Sequence, residues 1–62
     1  MSMVEVAGTR AQYEQLAAFL DERGRRLFAA TEAMAVGLGG VTAVSAATGI
    51  ARSTINRGIA EL

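Results

Sequence analysis

Apolar side chains recur along this chain at the spacing of helices and not at the alternation of strands. The apolar positions that follow the period of about 3.6 residues in the first predicted helix are Tyr13, Leu16, Ala17 and Leu20. Thr9 stands three positions before Gln12, the spacing of a capping box, so this helix is predicted at about residues 10–19. Residues 1–8 lack this period and are predicted to be a frayed end.

A second helix is predicted from Asp21, whose carboxylate suits an N-cap, to about Val36. The side chains expected to form its buried stripe are Leu27, Thr31, Met34 and Leu38, beside Phe28 and Ala35. The charged side chains assigned to the solvent side are Arg23, Arg25, Arg26 and Glu32. The GLGG run at 37–40 ends this helix, because glycine adopts left-handed backbone angles without steric cost.

Two short helices are predicted next, at about residues 41–48 and 52–61, and Gly49 joins them. Their inward positions are predicted to be Val41, Val44 and Thr48 on the first helix, and Ile55, Ile59 and Leu62 on the second. Gly58 is explained by close packing against another helix, because glycine inside a helix costs about 1 kcal/mol relative to alanine. A helix pair with a short glycine turn is typical of a helix-turn-helix, whose second helix enters the DNA major groove. The sequence therefore predicts an all-α fold of three to four short helices, with a helix-turn-helix at 41–62.

The outward face of the last predicted helix carries side chains that suit DNA. Arginine can present paired donors to guanine, asparagine can pair with adenine, and hydroxyl groups reach phosphates or bases. The predicted DNA-binding residues are Arg52, Ser53, Asn56 and Arg57, with Thr54 as a phosphate contact and Gly49 as the turn residue. The competing interpretation is a helical hairpin whose outer polar side chains are simply solvated.

Composition narrows the possible chemistry. The chain has no cysteine and no histidine, which excludes disulfides, Cys/His zinc sites, thiol nucleophiles and histidine bases. Its acidic residues show no clustering, so no catalytic residue, metal or cofactor is predicted. Thirteen of the 62 residues are alanine, which leaves few large side chains for a core that is already small.

The distribution of charge and of apolar residues indicates which partners and which cellular location to expect. The net charge is zero, but the segment 41–62 carries Arg52 and Arg57 against Glu61 alone. Residues 33–51 form a charge-free stretch, yet glycine and hydroxyl side chains dilute it, so no membrane span is expected. Without a signal-peptide pattern, the expected location is the cytoplasm.

From Leu20 onward the chain resembles the N-terminal region of the ISAzo-type insertion-sequence transposases. The motifs that carry the resemblance are LDERGRRL, the glycine break GLGGV, and ATGIARSTINRGIAEL at the predicted helix-turn-helix. The resemblance implies a DNA-binding domain at 9–62 that recognises the ends of an insertion element. It also implies a separate catalytic domain of the DDE type, of which this sequence has no counterpart, so the chain is expected to be a non-enzymatic fragment.

The sequence departs from that family at several positions. Gly24 replaces a polar helix former, Ala51 stands where serine is usual, and Asn56 and Ala60 stand where basic residues are common. These changes remove a helix cap and positive charge, which implies weakened binding. Two alternatives to a DNA-binding fragment stay open: a small helical module that self-associates, and a non-functional transposase remnant.

Overall fold

Helices make up nearly all of the described chain. The computed structural model describes the backbone of residues 3–62 and the side chains of residues 8–62. Its helices are α1 (Met3–Leu16), followed by a 3₁₀ turn (Ala17–Phe19), α2 (Glu22–Val36), α3 (Gly40–Thr48) and α4 (Arg52–Glu61). No strand occurs within 3–62, so the predicted all-α class is confirmed. None of the helices in this range has both the length and the apolar character that crossing a bilayer requires.

From α2 onward, the helix boundaries follow the predicted cap and glycine breaks. The Asp21 side chain accepts a 2.7 Å hydrogen bond from the Gly24 amide at the start of α2. Gly37 ends α2 with a φ of 84°, and Gly49 ends α3 with a φ of 77°, both in the left-handed region that glycine favours. The predicted Asp21 cap and the two glycine breaks are therefore confirmed.

The predicted start of the first helix is wrong. α1 begins at Met3, so residues 3–8 are helical, while residues 1 and 2 lie outside the described residues. Thr9 lies inside α1 and is 5% exposed, and its hydroxyl donates to a Glu32 carboxylate oxygen at 3.4 Å. A threonine and a glutamine at capping-box spacing can also lie inside a continuous helix. Here Thr9 does so, and its hydroxyl bonds to α2 and does not cap α1.

The core is built on the alanine face of α2. Its buried side chains are Ala29, Ala30 and Ala33 of α2, Val44 of α3 and Ile55 of α4. The half-buried side chains that pack against this core are Val41, Ile50 and Ile59. Small side chains on α2 let the larger ones of α3 and α4 lie close to its backbone.

The predicted large-residue stripe of α2 is not the core. Met34 is 57% exposed and Leu38 is fully exposed, while Leu27 and Phe28 are half-buried. Leu62, predicted to point inward, is 60% exposed because it lies beyond the last residue of α4. Alanine has a smaller apolar area than leucine or methionine. The alanine face of α2 is nevertheless the buried one, because it lets α3 and α4 approach the helix more closely.

Two glycines allow that approach. A Cβ atom built on Gly58 would lie 2.7 Å from the Arg26 carbonyl oxygen and 2.9 Å from the Ala30 Cβ. A Cβ on Gly40 would overlap the Ala33 carbonyl oxygen. The prediction that Gly58 marks close helix packing is confirmed, and both glycines face the buried side of α2.

Helix α1 completes the fold mainly against α3. Its Tyr13 ring also packs on Phe28 of α2, with ring centroids 6.0 Å apart. The Arg25 guanidinium donates two hydrogen bonds to the Ala17 carbonyl oxygen, at 2.9 and 3.2 Å, where α1 gives way to the 3₁₀ turn. This side chain therefore ties the start of α2 to the end of the preceding helix.

We expect Gly58→Ala to destabilise the fold, although alanine is the better helix former by about 1 kcal/mol. Overpacking against Arg26 and Ala30 should cost about 1–3 kcal/mol, which exceeds that gain. Urea unfolding followed by circular dichroism measures the effect. The matched control is Gly8→Ala in α1, where an added Cβ meets nothing within 4 Å and should stabilise the protein. A Gly58→Ala protein as stable as the control would contradict the close contact.

Candidate nucleic-acid interface

The rotation of α4 about its axis is set by the residues that it buries. Ile55 and Gly58 are buried, and Ile59 and Thr54 are half-buried. Glu61 is exposed at the end of the helix, and the other exposed side chains are Arg52, Ser53, Asn56, Arg57 and Ala60. We call these five residues the α4 outer face. At roughly 100° per residue, Ser53 and Ala60 lie along its middle, Asn56 and Arg57 lie about equally far to either side of them, and Arg52 lies at one edge.

Four of the five side chains predicted to bind DNA therefore share one exposed face. The fifth, Thr54, is half-buried and lines an open groove together with Tyr13 and Ile50. Its predicted phosphate contact would have to be made from the edge of the α4 outer face. The sequence predicted the exposure of these four side chains but not the position of Thr54 beside the core.

The connection between α3 and α4 is short and internally bonded. The Gly49 amide donates to the Ser45 carbonyl at 2.9 Å, and the Ile50 amide donates to the Thr48 hydroxyl oxygen at 3.2 Å. The Thr48 hydroxyl in turn donates to the Val44 carbonyl at 2.8 Å. Ile50 packs against the core. These contacts hold the start of α4 in a defined position relative to α3.

Helix α4 begins without a side-chain cap. Ala51 occupies the N-cap position with extended backbone angles, φ −60° and ψ 142°, and no side chain bonds to the first amides of the helix. Helix starts carry partial positive charge, and their unsatisfied amides suit an anion. The uncapped end lies next to Arg52, so both features place positive potential at the same end of the α4 outer face.

The acidic residue beside this face is paired with an arginine. Arg26 donates two hydrogen bonds of 2.9 Å to the two carboxylate oxygens of Glu61. The side chain of Arg26 is only 12% exposed, so its predicted solvent position is wrong. The hydrogen bond from Arg26 lowers the pKa of Glu61 below its ordinary value, and the nearby charge acts in the same direction. Glu61 is thus ionised, but its charge is balanced by Arg26.

Sequence reasoning missed this pair, although a signal for it exists. Arg26 stands one turn before Ala30, and Glu61 stands three residues after Gly58. Because Ala30 and Gly58 meet where α2 and α4 cross, their neighbours on the same faces come together as well. Recognising the small-residue contact would have indicated the ion pair.

The arginines of the α4 outer face have little competition from carboxylates. Arg57 lies 3.9 Å from a Glu22 oxygen, but the two side chains are 61% and 85% exposed, so this pair contributes little. Among residues 8–62, Arg52 has no carboxylate within salt-bridge distance. Both guanidinium groups can therefore reach an external anion.

The described side chains contain no group of three or more acidic residues placed to hold a metal ion. The chain matches no protein-family model, no curated protein and no solved structure. The polar side chains of the α4 outer face are two arginines, an asparagine and a serine on one side of a short helix.

We expect Ala51→Ser to stabilise the protein, because a serine hydroxyl at the N-cap can accept a hydrogen bond from the first turn of α4. The gain should be about 1 kcal/mol, which corresponds to a melting temperature higher by about 4–8 °C in a domain of this size. Thermal unfolding followed by circular dichroism measures it. Ala60→Ser, an exposed position inside the same helix, is the control and should not stabilise. An unchanged melting curve for Ala51→Ser would mean that α4 begins elsewhere.

We expect the Arg26–Glu61 pair to make stability depend on pH in a defined direction. Because the folded-state pKa of Glu61 lies below 4.5, the pair stabilises the fold above that pH and ceases to do so as the pH falls through the lowered pKa. Glu61→Gln should therefore lower the melting temperature at about pH 7 but have a smaller effect in acid, once the pH has fallen through the lowered pKa.

The matched control is Glu14→Gln, which removes an exposed pair with Arg10 within α1. That change should have little effect at either pH, since exposed pairs of this kind contribute little. A difference between wild-type protein and Glu61→Gln that stays constant with pH would contradict the assignment of the effect to the carboxylate charge.

Proposed function

We propose that this chain binds double-stranded DNA by inserting the α4 outer face into the major groove. The observation that supports this most directly is the placement of Arg52, Asn56 and Arg57 together on an exposed helix face whose rotation the core fixes. An α-helix with its side chains is about 10–12 Å wide and the major groove about 12 Å, so a single helix fits.

The side chains of this face suit both parts of DNA recognition. Asn56 lies beside the middle of the face, where a side chain can reach a base edge and pair with adenine. Arg57 lies on the other side of the middle and Arg52 lies at one edge, and both can contact phosphates or guanine. The pairing of Glu61 with Arg26 supports this use, because an unbalanced carboxylate at the edge of the face would repel the phosphate backbone.

The more specific role that we propose follows the resemblance to insertion-sequence transposases. In that role α3 and α4 act as a helix-turn-helix that recognises the ends of an insertion element. The chain would work in the cytoplasm and would contribute no catalytic residues. With two to four phosphates contacted, binding is weak and depends strongly on salt. Ala51 and Ala60, where that family has serine and basic residues, fit an affinity below that of the family's usual sequence.

We expect the intact chain to bind a fluorescent duplex of about 20 base pairs, two helical turns, with a log–log salt slope of about −2 to −4. Arg57→Ala should weaken binding, whereas Arg10→Ala, which removes the same charge from α1, should not. Fluorescence anisotropy at several salt concentrations measures both. If Arg57 reads a base, its loss relaxes sequence preference; if it touches phosphate, all duplexes weaken alike.

Selection from a random-sequence duplex pool tests the role of Asn56. The wild-type protein should enrich a motif that contains an A·T pair, and Asn56→Ala should lose preference at that position. Absence of binding at low salt, binding that is indifferent to salt, or equal losses for Arg57→Ala and Arg10→Ala would each refute the proposal.

A further inference from the structure

The first turn of α2 lies beside the α4 outer face. Glu22, the first residue of α2, places a carboxylate oxygen 3.9 Å from the Arg57 guanidinium. The hydrogen bond from Arg26 is the main cause of the lowered pKa of Glu61. The charges of Arg23 and Arg57 act on the same carboxylate in the same direction. The start of α2 therefore borders α4 on the side that carries Arg57.

The position of this turn matters because a single helix nearly fills the major groove. An α-helix with its side chains is about 10–12 Å wide and the groove is about 12 Å wide. Groups that flank the inserted helix therefore face the phosphate backbones that line the groove. The rotation of α4 puts Arg57 on the flank toward α2 and Arg52 at the opposite edge. With the α4 outer face in the groove, the first turn of α2 meets one of the two backbones.

The three arginines of α2 differ in how their donors are used. Arg25 donates two hydrogen bonds to the Ala17 carbonyl oxygen, and Arg26 is paired with Glu61. Arg23 is exposed, and no carboxylate among the described side chains lies within salt-bridge distance of it. Within the described part of the chain, Arg23 is thus the α2 arginine whose donors are left for an external anion.

Glu22 stands in the same turn with the opposite charge. Its side chain is 85% exposed and that of Arg57 is 61% exposed, so water screens their 3.9 Å pair and leaves the carboxylate charge largely unbalanced. A phosphate that approaches this side of α4 meets the carboxylate of Glu22 as well as the guanidinium of Arg23. The two neighbours should therefore act on DNA with opposite sign.

We propose that the first turn of α2 is a second DNA-contacting element, in which Arg23 binds a backbone phosphate and Glu22 repels it. This inference rests on the proposed DNA binding by α4 and adds a contact outside that helix. Arg23 raises the affinity and Glu22 lowers it. Neither side chain reads a base, because both face the backbone, so their effects are the same for every duplex sequence.

Fluorescence anisotropy of the intact chain with a labelled duplex of about 20 base pairs, two helical turns, tests the two residues separately. At low salt, Glu22→Gln should tighten binding and Arg23→Gln should weaken it, each by about two- to fivefold. Because Arg23→Gln removes one phosphate contact, it should also reduce the magnitude of the log–log salt slope by about one. Both effects should persist when the duplex sequence is changed.

The matched controls are Glu14→Gln and Arg10→Gln, which change the net charge in the same two ways at exposed positions of α1. Neither control should change the dissociation constant by as much as the corresponding α2 variant. All four substituted side chains are exposed, so the helical circular dichroism spectrum should be unchanged in every variant.

The outcomes separate this inference from the proposed function on which it rests. Salt-dependent binding that requires Arg57, but in which Glu22→Gln and Arg23→Gln match their controls, would overturn the role of α2 and leave that of α4 intact. A loss in Arg23→Gln that is confined to one duplex sequence would overturn the assignment to a backbone phosphate. Absence of salt-dependent DNA binding by the wild-type chain would overturn both proposals.

Discussion

The contact between Gly58 and the backbone of α2 at Arg26 is the constraint on which the rest of this structure depends. It brings α4 so close to α2 that no side chain fits between them at that point. Three consequences follow from this single approach. The buried side of α2 must carry alanine, α4 must turn Ile55 inward, and the Arg26 and Glu61 side chains meet beside the crossing. The exposed position of the α4 outer face is then determined as well.

The local features of the fold could be predicted from the sequence because they depend on neighbouring residues. Asp21 caps α2 through a hydrogen bond to an amide three residues away, and Gly49 separates α3 from α4 because glycine tolerates a positive φ. Both effects act over a few residues. The predicted start at Thr9 was wrong, because the same spacing fits the middle of a helix that contacts Glu32. A capping motif signals a helix start only where the preceding residues do not continue the helix.

The choice of buried face could not be predicted in the same way. Ranking side chains by apolar area favoured Leu27 and Met34 over Ala29 and Ala33, and the structure buries the alanines. What decides is the distance between helix axes, which depends on Gly40 beyond the end of α2 and on Gly58 in α4. For the candidate site the outcome was better: Ile55 and Gly58 set the rotation of α4, so the exposed positions of Arg52, Asn56 and Arg57 followed from periodicity.

The distribution of the core along the chain has a consequence for how the protein is made. The alanine face of α2 at residues 29–33 is covered by side chains from residues 44 and 55, and by the backbone at residues 40 and 58. During synthesis, α1 and α2 emerge first and have no partner for that face until α3 and α4 follow. Small alanine side chains expose little apolar surface in this interval, so a nascent chain with this core presents a weaker target for chaperones and for aggregation than one built on leucine.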